Sequence, residues 1–194
     1  MHDPTRCSIP ASTPACRSAE LTRQFVEHWG MMARAWGINA TMGEIFALLY
    51  ITGTEWTAEE LKQWLKVSRG NVSMNLRELL AWGVVAKVHR QGERRELYRA
   101  EADVWTLFGR ILKERKRREL DPTLAVLEQL SRLSTSEPGL RERVEPLRQF
   151  FGLIEELAER FLQLGPEELA QLGQWFSASR VSSPRPQQQP DQLD

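Results

Sequence analysis

Residues Thr57 to Arg99 read TAEELKQWLKVSRGNVSMNLRELLAWGVVAKVHRQGERRELYR. Thr57 and Glu60 stand three apart before an apolar-periodic run, the spacing of a capping box, so a helix is expected from Ala58. Leu61, Trp64 and Leu65 then form one inward stripe that stops at Lys66-Val67. Ser68 is placed to cap a second helix, in which Val72, Leu76, Leu79 and Leu80 share a face and Gly83 supplies the left-handed stop. Beyond Gly83 the period changes to two: Val84, Ala86 and Val88 alternate, and after Gln91-Gly92 so do Leu97 and Arg99 against Tyr98 and Ala100. That alternation predicts a hairpin.

Helix, short turn, helix and basic hairpin together spell a winged helix-turn-helix. The outward face of the second helix carries Gly70, Asn71, Met74, Arg77 and Glu78, with Arg69, Ser73 and Asn75 at its first turns and flanks. Small, amide and basic side chains bury little apolar area, but they suit a major groove, where Arg reads guanine, Asn reads adenine and Met touches the thymine methyl. The hairpin tip, Arg90 to Arg95, is predominantly positive and suits the negative potential of a narrow minor groove.

Charge supports this locally and not globally. The 194-residue chain has 26 basic and 26 acidic side chains. Between residues 57 and 100, however, nine basic face five acidic side chains, a local excess of about four positive charges.

The same residues carry a resemblance. SRGNVSMNLRELLAWGVV (Ser68 to Val85), GERRELY (Gly92 to Tyr98), QFVEHWG and AWGI upstream, EIFALLYI (Glu44 to Ile51) and ERKRRELDPTL (Glu114 to Leu124) closely resemble the GbsR/MarR family of bacterial transcriptional regulators, over roughly residues 20 to 175. Several separated motifs recur in order, which is more specific than one helix-turn-helix. The chain departs from the family in the wing, having Gly92-Glu93-Arg94 where Gly-Asp-Arg is common; a Glu can still orient the Arg.

Outward from this centre, the chain is expected to be mainly α with a small β-hairpin wing. Residues 1–18, rich in Pro, Ser and Thr, should be disordered. The winged helix-turn-helix domain should span 19–102, with its helix-turn-helix at 57–83 and wing at 84–100. A C-terminal helical dimerisation region should span 103–180, and the polar, low-complexity tail 181–194 should be disordered. Leu21, Phe25, Trp29, Met32 and Trp36 outline an amphipathic first helix, which the resemblance implies helps build a dimer. Thr41 and Glu44 repeat the capping-box spacing before Ile45, Leu48, Leu49 and Ile51. Asp103 can cap a helix that runs into the mixed-charge stretch Lys113 to Glu119, expected to be a solvated face. Asp121-Pro122 should break that helix and start another. From Leu140 to Phe161 apolar residues alternate every four and three positions for about three heptads, the pattern of one helix lying along another. Pro146 within this seam should kink the helix or start it.

These observations predict a homodimer that places two recognition helices about 34 Å apart on double-stranded DNA and favours a palindromic operator. The recognition-helix contacts would be Ser68, Arg69, Asn71, Ser73, Met74 and Arg77; the wing contacts would be Arg90, Arg94 and Arg95. A winged helix used as a protein-interaction module is the alternative, and Met74 and Glu78 are the residues in its favour. An enzyme is the weakest reading, and none is expected, since the sequence shows no Gly-rich phosphate loop, HExxH or nucleophile elbow. No cofactor or metal is expected: Cys7 and Cys16 lie in the N-terminal segment away from any His cluster. With no apolar run of roughly 18 residues and no signal-peptide core, cytoplasmic residence without membrane contact is expected. Seven tryptophans could form an effector pocket, with Trp29, Trp36 and Trp56 as candidates for a cation cage. The resemblance permits such a small-molecule effector, because some relatives are linked to choline and osmoprotectant metabolism. Core packing is the competing use, favoured for Trp64 and Trp82 on inward helical faces.

Overall fold

The computed structural model describes residues 14–92, 94–133 and 137–180. The order is α1 (Pro14–Ala35), α2 (Ala40–Thr52), β1 (Trp56–Thr57), α3 (Ala58–Leu65), α4 (Arg69–Ala81), β2 (Val85–Val88), β3 (Leu97–Ala100), α5 (Val104–Arg115), a π-helical turn (Lys116–Leu120), α6 (Asp121–Leu133), α7 (Pro138–Gln163) and α8 (Pro166–Arg180). The expected mainly α fold with a small β wing is what the chain adopts. The proposed disordered segments fall largely outside the described residues, although α1 already begins at Pro14. Among the described residues, no helix is long and apolar enough to cross a membrane.

Two compact units divide the chain, residues 1–118 and 119–194. Helix α5, read from sequence as part of the C-terminal region, therefore sits in the first unit. The core of that unit is built on α2, whose Ile45, Leu48 and Leu49 are completely enclosed, with Leu61, Val72, Leu76 and Leu79 from α3 and α4 packed against them. Helix α2 crosses α1 closely at Gly43: a Cβ there would lie 2.6 Å from that of Ala33.

Its cap differs from the expected Thr41-Glu44 box. Asn39 is the N-cap, its side chain accepting from Thr41 N at 2.9 Å and Met42 N at 3.4 Å. A carboxamide oxygen two residues upstream already satisfies the first amides. Glu44 packs instead over Gly30, where burial raises its pKa above the usual carboxylate value, against the lowering pull of Arg34.

The box at α3 does form: Glu60 N donates to Thr57 Oγ1 at 3.2 Å and Thr57 N to Glu60 Oε2 at 2.7 Å. Lys66, in the left-handed region at φ 56°, turns the chain into α4, and Gly83 at φ 73° ends it. The hairpin gains a third strand that alternation alone does not show. Strand β1, two residues long, pairs antiparallel with β3, giving the order β1-β3-β2 with Trp56 opposite Tyr98 and Lys87 opposite Tyr98 on the other side. The inward positions are also shifted: Val84, Val85, Tyr98 and Ala100 are buried, whereas Ala86 and Arg99 are exposed.

The mixed-charge run Lys113 to Glu119 is more than a solvated face. Arg115 Nη2 donates to Trp36 O at 2.9 Å, and Glu114 holds Arg117 at 2.6 Å. A new helix does start at the expected Asp121-Pro122, where α6 begins, but it follows the π-helical turn directly with no loop between them; proline, which has no N–H to donate, is tolerated in a first turn.

In the second unit α6 packs on α7 through Leu124, Leu127 and Val144. Helix α7 starts at Pro138 and runs through Pro146 without restarting there. Only Val144 of its apolar seam is buried; Leu147 and Ile154 are exposed, as are the neighbouring Phe150, Leu153 and Leu157.

Candidate nucleic-acid interface

Helix α4 presents the candidate reading surface. Its apolar stripe anchors it on α2 and α3, and Ser68 caps it, the hydroxyl accepting from Asn71 N at 3.2 Å. The opposite side is open. Arg69, Ser73, Met74 and Arg77 are exposed together, Met74 at 60%, around Gly70, whose missing Cβ would meet nothing within 4 Å. Arg77 Nε donates to Ser73 O at 3.3 Å, which lays the guanidinium along this face.

Asn71 is placed differently from its neighbours. It is half-buried, and its Nδ2 donates to Thr41 Oγ1 of α2 at 3.3 Å. Asn75, expected on the flank of the open face, is buried and donates through Nδ2 to Asn71 O at 2.9 Å and Asn71 Oδ1 at 2.6 Å. Its spacing contained the signal, since Val72, Asn75, Leu76 and Leu79 repeat at i, i+3, i+4 and i+7. Glu78, the acid on this helix, is paired at 2.8 Å with Arg118, a partner that sequence spacing alone does not reveal.

The wing turns at Gly92, φ 85°. Arg94 and Arg95 are exposed on it, and Glu93 lies outside the described residues. Arg90 forms an ion pair with Glu55 at 2.8 Å, which draws it toward the base of the wing. At that base Glu96 accepts from Lys87 at 2.6 Å and from the Tyr98 hydroxyl at 2.7 Å. The Lys87 bond first and the Tyr98 bond second hold the Glu96 carboxyl below its usual range, while burial and that same acid push the Tyr98 phenol up to about 12. Lys87 and Glu96 at the wing base thus offset each other.

The first unit of the chain is therefore an α4 helix with an open polar and basic face beside a basic wing. It is similar to helix-turn-helix transcriptional regulators. No protein-family model matches the chain. Over 84 residues, 43% of its length, it is 29% identical to YvaV of Bacillus subtilis (strain 168), named as an HTH-type transcriptional regulator; the match spans about half of that protein, 48%. Over 140 residues, 72% of the chain and 68% of the relative, it is 24% identical to the HTH-type transcriptional repressor OpcR of the same organism. A crystal structure of a transcriptional regulator matches 73% of the chain and 95% of its own with TM-score 0.58 at 23% identity, which shows the shared fold.

Of the three tryptophans proposed for a pocket, the structure brings two together. Trp29 and Trp36 line an apolar cavity of about 320 Å³ with Phe46, Trp82, Leu107 and Phe108. Trp56 lies in β1, where its indole N–H donates to Thr52 Oγ1 at 3.1 Å and Thr54 Oγ1 at 3.0 Å. Trp82 takes its place beside the cavity. The guanidinium of Arg115 lies 5.7 Å from the Trp36 ring centroid and that of Arg118 5.2 Å from Trp82.

Proposed function

We propose that this chain is a transcriptional regulator of the GbsR/MarR type that reads double-stranded DNA as a homodimer on a palindromic operator. The observation that carries the reading is the open face of α4, where Arg69, Ser73, Met74 and Arg77 surround a glycine whose missing Cβ would meet no atom of the described residues within 4 Å. Those groups match the donors and methyl-contacting atoms that a major groove requires. Arg94 and Arg95 would follow the phosphates or the minor groove beside it. Likeness to OpcR favours repression.

A homodimer is supported by the uncovered apolar residues of α7, Leu147, Phe150, Leu153 and Leu157, each more than half exposed. The cavity beside Trp29, Trp36 and Trp82 is the proposed place of an effector; an apolar molecule fits its lining, whereas a cation such as choline or betaine is disfavoured at Trp36 and Trp82, whose rings already carry the guanidinium groups of Arg115 and Arg118. The protein would act in the cytoplasm and carry out no catalysis. A protein-interaction role is less well supported, because the acid that would favour it, Glu78, is neutralised by Arg118.

The test is affinity selection of random-sequence duplex DNA at stated salt, with molar mass measured in parallel by sedimentation. Enrichment of an inverted repeat by a dimer is the expected outcome. A folded protein that enriches no sequence would overturn it.

A further inference from the structure

Asn75 is the polar residue that the fold buries on the inward stripe of α4, at 4% exposure between Val72, Leu76 and Leu79. An apolar side chain there would need no partners, whereas a buried amide is tolerated only when its hydrogen bonds are made. It makes them to Asn71, at 2.9 Å to the backbone carbonyl and 2.6 Å to Oδ1. Asn71 passes the connection on, Nδ2 donating to Thr41 Oγ1, and the Thr41 amide is itself held by Asn39 Oδ1 at 2.9 Å. A polar ladder thus joins the first turn of α4 to the first turn of α2.

Reading adenine by a carboxamide takes both of its ends, the oxygen accepting from the base and the nitrogen donating to it. In Asn71 both ends are already engaged within the chain, and the side chain is half-buried beside α2. The apolar contact between α2 and α4 resists separation but is not directional; hydrogen bonds are, and they set the pitch at which one helix lies on the other.

We infer that Asn71, with Asn75 and Thr41, is a positioning residue that aims the recognition helix, and that base discrimination on α4 belongs to Arg69, Ser73, Met74 and Arg77. The inference rests on the proposed DNA-reading function and moves Asn71 from the base contacts expected from the sequence to the support of the helix.

The experiment uses the full chain and the duplex it enriches, with a panel of all single base-pair changes in that duplex. Binding is measured for wild type, Asn71→Ala, Thr41→Val, their double variant and Arg77→Ala. Thr41→Val should weaken binding about fivefold, the weight of one hydrogen bond, and Asn71→Ala, which removes the bonds to both Thr41 and Asn75, by at least as much, on every duplex of the panel. The order of preference at each base pair should stay unchanged, and the double variant should bind no worse than Asn71→Ala alone. Arg77→Ala should instead flatten the preference at a particular position. If Asn71→Ala flattens preference at one base pair, Asn71 reads a base and the inference is wrong. Unchanged affinity, or losses that multiply in the double variant, would equally overturn it. If wild type enriches no duplex at all, the DNA-reading function fails before any variant is compared, and this inference fails with it.

Discussion

Arg118, in the π-helical turn after α5, sets its Nη2 2.8 Å from Oε1 of Glu78 on α4 and its guanidinium 5.2 Å from the Trp82 ring centroid. The end of the first unit thereby grips the recognition helix on the flank of its open face. Glu78→Gln removes a negative charge from that flank and should tighten DNA binding about two- to threefold at low salt; Arg118→Gln should weaken it by a similar factor. The double variant should lie near wild type, and both differences should shrink as salt rises. Fluorescence anisotropy across a salt series measures all three.

Arg77 and Arg94 should separate by kind of loss. Arg77→Ala should cost about 1 to 3 kcal/mol on the preferred operator and relax preference there. Arg94→Ala should weaken binding evenly across sequences and reduce the salt slope by about 1, because a phosphate contact carries no base information. Equal binding by wild type and both variants would remove these side chains from the interface.

Two glycines should respond with opposite signs. A Cβ at Gly43 would sit 2.6 Å from the Ala33 Cβ and 3.1 Å from the Trp29 carbonyl, so Gly43→Ala should push α1 from α2 and destabilise by about 1 to 3 kcal/mol in urea denaturation. Gly70 has open space, and Gly70→Ala should be neutral or stabilising by up to about 1 kcal/mol from helix propensity. Its DNA affinity should nevertheless fall, since the added methyl stands where the groove would approach.

The α6–α7 pair should be acid-sensitive in a defined window. Glu145 accepts from Arg148 at 2.6 and 3.0 Å, from Gln149 at 3.0 Å and from Ser131 of α6 at 3.2 Å. The Arg148 bonds first, and the Gln149 bond after them, hold its carboxyl down at about 2 against an ordinary 4.5. A carboxylate depressed in the folded state stabilises fully above 4.5, and that contribution is lost as pH falls from there to about 2. Thermal melts of wild type should drop more steeply across this window than those of Glu145→Gln; parallel curves would show that the contact carries no pH dependence.

The sequence by itself determined the order of helices and the wing, because caps and turns are local. Thr57 with Glu60, Ser68, Asp103 and Gly83 act through residues three or four apart, and the structure finds each in that role. It also determined which face of α4 stays outward, since a 3.6-residue period sorts apolar from polar positions wherever the apolar set is unbroken. Only the tertiary structure decided what depends on groups distant in the chain. Asn71 is turned toward Thr41, 30 residues away, Glu78 toward Arg118, and Arg90 toward Glu55. Trp82 joins Trp29 and Trp36 around a cavity while Trp56 is drawn into a strand by pairing with Tyr98. A side chain's reach and its hydrogen-bond partners are set by what packs beside it, and periodicity holds no information about which distant element that will be.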